Sequence, residues 1–222
     1  MELPEGWAWT TVQEAIEIID YRGRTPSFSE DGIPHLRSSN IKDGKVVWEG
    51  LRYVSEETYQ AFMTRGLPQK GDVLFTPEAP LGEVALAPEQ KFSLAQRMML
   101  LRPNKNFLES SFLLYQLKNE EFQRKLKITG TGSTVTGISS RNCQPLKIVL
   151  PPLKEQKHIV AQIEALRERS QKAKAALEAI PELCDRFRQS VLAAAFRGDL
   201  TADWREQNQM LNQLQFCWRG LR

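Results

Sequence analysis

Two loops hold the chain's densest set of groups able to grip a polyanion. The first, Tyr21 to Lys45, sets Arg22, Arg24, Arg37, Lys42 and Lys45 among Ser27, Ser38, Ser39 and Asn40. Arginine can hold guanine bidentately in a major groove, asparagine can hold adenine, and serine can meet a base or a phosphate. In the second, Thr129 to Asn142 (TGTGSTVTGISSRN), the hydroxyls of Ser133 and Thr134 and the glycine amides could track a sugar–phosphate backbone, with Arg141 pairing a phosphate. Arg37 and Asn40 are the candidate base readers. Arg22, Arg24, Ser38, Lys42, Arg97, Ser133, Thr134 and Arg141 complete the set, the lysine and hydroxyls mostly for phosphate. Composition alone favours a plainer reading, two solvated loops whose polar residues cap neighbouring strands.

Nothing comparable points to catalysis. His35 and His158 are the only histidines and fall in different regions, one near a strand end and one on an exposed helix flank. No HExxH, P-loop, GxSxG or paired-carboxylate arrangement occurs, nor an aromatic-flanked Asn/Asp-Pro-Pro. Gly130-x-Gly132 lacks a third glycine and follows a helical stretch, a poor match to a dinucleotide loop. Cys143, Cys184 and Cys217 are widely spaced and form no CxxC, so neither a disulfide framework nor a metal site is expected, and a reducing cytoplasm fits. Cys143 is expected to be packed. Met1-Glu2-Leu3-Pro4 opens no signal peptide and no apolar run approaches membrane-spanning length, so a soluble protein is expected.

Charge is balanced where the loops lie. Residues 1–150 carry 18 basic and 18 acidic side chains, and residues 151–222 carry 12 and 9, giving the net charge of +3. Any contact with nucleic acid must therefore come from local placement. An apolar content of 41% is enough for a real core.

The elements that must position these loops read as an irregular β-rich body followed by a rod. Residues 4–20 suggest an extended entry and then a helical turn or two, with Thr11 and Glu14 spaced as a capping box. Ile33–Leu36 and Val46–Trp48 are strand-like, and Asp43-Gly44 is a hairpin dipeptide. Ser55 caps a short helix, residues 73–76, 78–88 and 93–103 give further strand-like runs, 105–127 look helical, and Leu146–Leu150 is a last strand. Pro151-Pro152 ends that strand and marks a boundary. Beyond it, Ile159, Ile163, Leu166, Ala173, Leu177 and Ile180, with Ser170 in the remaining slot, repeat at alternating spacings of four and three. A strict heptad keeps its seam toward one partner helix, whereas a helix lying on its own body shows a wider stripe. Little apolar sequence before Leu153 is left to receive it, so a second helix is expected. Pro181 then kinks the helix or opens another, PELCDRFRQSVLAAAF, which ends at Gly198.

Several stretches, in order, resemble the specificity (S) subunits of type I restriction–modification enzymes. LPEGWAWTTV resembles that family's opening, RGRTPSF with GIPHLRSSNIKDG its Gly-x-Thr-Pro and Gly-Ile-Pro segment, and KGDVLFTPEAPLGEVAL its Gly-Asp strand pair. PLKIVLPPLKEQKHIVAQIE is the most specific match, the family's strand–Pro-Pro-Leu-x-Glu-Gln junction into a long helix, and FRGDLTADWRE resembles the segment after it.

The resemblance implies an α+β chain: a DNA-binding target-recognition domain over 1–150, then a long coiled-coil-type helix. Residues 151–208 would be a conserved helical spacer and dimerisation region. It also implies that methyltransferase (M) and restriction (R) subunits are partners, that S-adenosylmethionine and ATP belong to them, and that this chain itself is not an enzyme. Family members carry two such units with their long helices antiparallel; here there is one. A homodimer through the heptad seam would restore the pair and read an interrupted double-stranded DNA site. The tail, 209–222, lacks a helical period and does not resemble the family's continuation. In a shifted frame, codons for Met210–Phe216 can yield Asp-Val-Glu-Pro-Ala-Ser-Val-Leu, which does resemble it, so a frameshift is expected here. The competing expectations are a coiled-coil adaptor without DNA specificity of its own, and an enzyme with an unrecognised site.

Overall fold

The computed structural model describes residues 2–21, 25–131 and 136–208, and the chain divides into two compact units, 1–163 and 164–222. Arg22, Arg24, Ser133, Thr134 and the tail from 209 lie outside the described residues.

In the first unit the order is β1 (Ala8–Thr11), α1 (Val12–Ala15), β2 (Ile16–Asp20), β3 (Ile33–Leu36), β4 (Ile41–Lys42), β5 (Lys45–Val46), β6 (Arg52–Val54) and α2 (Glu56–Phe62). Then come β7 (Val73–Phe75), β8 (Val84–Leu86), β9 (Ser93–Leu94), β10 (Met99–Pro103), α3 (Ser110–Lys118), α4 (Glu120–Thr129), α5 (Ser140–Cys143), β11 (Lys147–Leu150) and the start of α6 (Leu153–Glu178).

An antiparallel sheet in the order β2-β10-β7-β8 lies between two cores. Side chains alternate across a strand. Val73, Phe75, Met99 and Leu101 therefore face α3 and α4, while Leu74 and Leu100 face α2 and the second sheet, β6-β3-β9. All six are fully buried, which is why β7 and β10 are apolar on both faces. Each contributes about 1.5–3 kcal/mol by leaving water.

Local signals act as expected in several places. The Thr11 N–H and hydroxyl both donate to the Glu14 carboxylate at 2.8 Å, which starts α1. Ser55 accepts from the Thr58 N–H at 3.2 Å and caps α2. Asp43 and Gly44 take φ of 51° and 85°, the left-handed pair that a tight β4–β5 hairpin needs. Two expectations are corrected. Ile16–Asp20 is a strand, pairing over its whole length with β10, because its isoleucines bury there. The helix over 105–127 is two helices, broken at Asn119, whose side chain accepts from the Glu121 N–H at 2.8 Å and caps α4.

The first turns of α6 belong to the first unit. Val160 is buried, Ile159 packs on the core, and Ile163 borders an apolar groove with Trp7, Trp9 and Phe122. The expectation that little before Leu153 is left to receive the helix is therefore corrected for its first turns. Of the residues expected at the dimerisation seam, Ile159 is partly buried against the core and Ile163 is half-buried at the groove. Gln156 is fully buried: its side-chain oxygen accepts from the Glu109 N–H at 2.8 Å, and its amide donates to the carbonyls of Phe107 and Pro151 at 2.7 and 2.8 Å.

The second unit comprises the rest of α6, α7 (Ile180–Arg197), a 3₁₀ turn at Asp199–Thr201 and α8 (Ala202–Gln207). Pro181 sits in the first turn of α7, so it opens a helix, and Gly198 closes that helix at φ 81°. No described residue of this unit is buried. Leu166 and Leu177 are more than 60% exposed, Ala173 and Ile180 are exposed, and so are Leu183, Phe187 and Val191 of α7.

Candidate nucleic-acid interface

Both sequence loops end on one turn. Residues 76–83, between β7 and β8, are closed by Thr76, whose N–H donates to the Glu83 carbonyl at 2.9 Å and whose hydroxyl donates to the Pro80 carbonyl at 2.5 Å. From the first loop, the Ser38 hydroxyl donates to the Ala79 carbonyl at 3.3 Å and the Asp43 N–H to the Glu83 carboxylate at 3.1 Å. From the second, the Ile138 N–H donates to the Pro77 carbonyl at 2.9 Å, and Gly137 bridges to Glu78. Neighbours in space, not in sequence, are thus drawn to one face.

Beside this turn is a cleft of about 270 Å³ whose walls include Phe28, His35, Arg37, Ser38, Arg52, Gln96 and Arg97. It gathers three guanidinium groups. Arg97 pairs through Nε with Glu78 at 3.2 Å. Arg52, opposite His35 in the β3–β6 ladder, lies over the Phe28 ring at 4.7 Å from its centre. Positive charge therefore exceeds negative charge here, although the unit as a whole is nearly neutral. Such local excess is what attracts phosphate.

The structure redistributes the roles expected of the candidates. Asn40 is buried; its oxygen accepts from the Arg37 N–H at 3.1 Å, and its amide donates to the carbonyls of Val47 and Glu49 at 3.0 and 3.1 Å. A side chain so engaged has nothing to offer adenine without opening the loop, so Asn40 is corrected from base reader to loop-holding residue. Arg37 gives Nη2 to the Gly50 carbonyl at 2.7 Å, and its Nε is enclosed without an acceptor among the described residues. Ser38 and Arg97 reach the cleft; Lys42, at the hairpin end, and Arg141, exposed on α5, do not line it. Arg52, Gln96 and Phe28 are added. No spacing rule could have found Arg52 and Gln96, because the antiparallel pairing of β3 with β6 and its parallel pairing with β9 bring them beside His35, while Phe28 meets His35 from within the first loop. Cys143 is buried, and burial pushes its thiol up to about 12, which leaves it unreactive.

His35 gives the cleft a pH signature. Its Nδ1 lies 2.6 Å from the Ser93 hydroxyl, and its ring meets Phe28 and Phe62 edge-on. Burial, then Arg37 and Arg52, push its pKa down from 6.5 to about 4. The unfolded chain therefore binds the proton first. Stability from this group is full above pH 6.5 and is lost as pH falls toward 4, about 2–3 kcal/mol in all. Urea unfolding between pH 7 and 4.5 checks this: His35→Gln should flatten that slope, and an unchanged slope would show that the histidine is not the group responsible.

The comparisons with known proteins follow the same direction. The model for the type I restriction modification DNA specificity domain matches residues 4–181. The EcoKI specificity subunit of Escherichia coli K12 is 27% identical over 97% of this chain and 48% of its own length. The putative MjaX specificity subunit of Methanocaldococcus jannaschii is 34% identical over 71% of this chain and 39% of its own. The HsdS subunit of Thermoanaerobacter tengcongensis superposes with a TM-score of 0.66 at 26% identity, covering 90% of this chain and 47% of that one. The chain thus spans about half the length of the curated relatives it matches most fully. With the family's domain matched over most of its residues and its fold shared with a solved S subunit, the chain belongs to the type I restriction–modification DNA specificity family.

Proposed function

We propose that this chain is a DNA-recognition subunit of a type I restriction–modification system that reads one half of an interrupted site. The observation that carries this is the cleft of three arginines beside the turn on which the two loops meet, on a body whose total charge is nearly neutral. The long helix couples and measures: it docks methyltransferase subunits and holds two reading bodies apart. S-adenosylmethionine, ATP and the chemistry of methyl transfer and cleavage reside in the partner subunits, in the cytoplasm. The test is the methylome of cells expressing this chain with its methyltransferase partner. A recurrent bipartite motif is expected; marking at random positions would overturn the reading and favour the adaptor.

Two copies pair through their second units. The support is the exposed stripe of Leu166, Leu177 and Ile180, continued by Leu183 and Phe187, which has no cover among the described residues of its own unit. Antiparallel pairing about a two-fold axis would close that stripe and make the target palindromic. Leu177→Asp should halve the mass seen by light scattering, with the first unit's thermal transition unchanged, because a charge at a paired seam is strongly unfavourable. A mass unaffected by both Leu177→Asp and Leu166→Asp would refute the pairing.

A further inference from the structure

We propose that the cleft seats a single phosphodiester of the target backbone, with Arg52, whose guanidinium lies over the Phe28 ring, as its principal donor. This deepens the DNA-recognition reading and rests on it. Arg52 is exposed, and among the described residues its side chain makes no hydrogen bond or ion pair, its guanidinium lying over the Phe28 ring. Its planar fork is therefore both oriented and unspent, the condition under which a guanidinium takes two oxygens of a phosphate. Arg97 keeps Glu78, and Arg37 is partly committed to Gly50, so these two set the field while Arg52 supplies the free donors. Ser39 adds a hydroxyl on the same wall, while the Ser38 hydroxyl is given to the Ala79 carbonyl. A recessed site of this kind suits a protruding phosphate better than a base edge, which has to be met by a side chain entering the groove.

The expected results are specific. Binding of the assembled subunit to a mixed-sequence duplex should weaken about tenfold at low salt for Arg52→Gln. Its dependence on log salt should flatten by about one unit. Arg52→Lys should keep the slope and lose part of the affinity, since it keeps the charge without the fork, and Phe28→Leu should behave likewise. The methylation motif should remain unchanged for all three. A relaxed preference at one position with an intact salt slope would instead make Arg52 a base reader and overturn the proposal.

A second measurement separates this idea from the DNA-recognition reading. In NMR titrations of the two histidines, dimethyl phosphate should move the His35 titration upward, because it offsets the guanidinium charges that oppose its proton. The Arg52→Gln protein should lack the response. If the duplex is ignored while dimethyl phosphate still moves His35, the functional reading fails and the phosphate site stands. If dimethyl phosphate leaves His35 unmoved, the site is refuted even where the duplex binds.

Discussion

Asp72→Leu is expected to lower the free energy of unfolding by about 3–4 kcal/mol, seen as a lower urea midpoint at an unchanged slope. The Asp72 side chain is 1% exposed, just before β7, and both its oxygens are engaged by Arg102 of β10 at 2.9 Å. It also accepts from the Gln69 N–H at 2.8 Å, which closes the turn leading into the strand. Removing it leaves Arg102 without its bidentate partner and the turn without its acceptor. The loss stays below the extreme for a buried pair because Arg102 retains the Leu67 carbonyl at 2.8 Å and Glu17 at 3.5 Å. Asp72→Asn keeps the volume and one acceptor and should cost about half as much. Adding Arg102→Leu to Asp72→Leu should recover part of the loss, since two well-packed apolar side chains often match a buried pair. A loss under 1 kcal/mol for Asp72→Leu alone would mean that desolvation already cancels the pair.

What the sequence discloses and what it withholds separate along a physical line. The Thr11–Glu14 cap, the Ser55 cap, the Asp43-Gly44 hairpin and the Gly198 stop were legible because each is settled within four residues by hydrogen-bond reach or by φ. Ile16–Asp20 was not legible. Its apolar residues at 16, 18 and 19 suit either period, and only pairing with β10 decides for the strand. The site divides in the same way. The sequence marks the right loops, yet Asn40 is turned inward by carbonyls seven and nine residues away, and Arg52 is brought to the cleft by sheet pairing. Residue type shows what a side chain can do; burial and register decide whether it is free to do it. The heptad illustrates the limit again. Its periodicity is real, but the core extends far enough along the helix to claim Ile159.

Gln156→Leu is expected to cost about 4 kcal/mol, because three buried groups lose their partners together. These are the Glu109 N–H and the carbonyls of Phe107 and Pro151. One belongs to the proline pair that begins the long helix, and two belong to the turn that leads into α3. The glutamine of the Pro-Pro-Leu-x-Glu-Gln stretch is thus a clamp between the start of the long helix and the rest of the first unit. Leucine fills the space but satisfies none of the three groups, whereas Gln156→Glu keeps an acceptor for Glu109 and forfeits both donated bonds. The two variants should differ in kind as well as size. Hydrogen exchange at Glu109 should quicken greatly in Gln156→Leu, with exchange at the centre of α7 unaffected. On the proposed reading, in which the helix sets the spacing of the target, this variant should also blur the spacing in the methylated motif before it blurs the bases. A Gln156→Leu protein of undiminished stability and undisturbed spacing would show that the packing of Val160 and Ile159 alone holds the helix to the body.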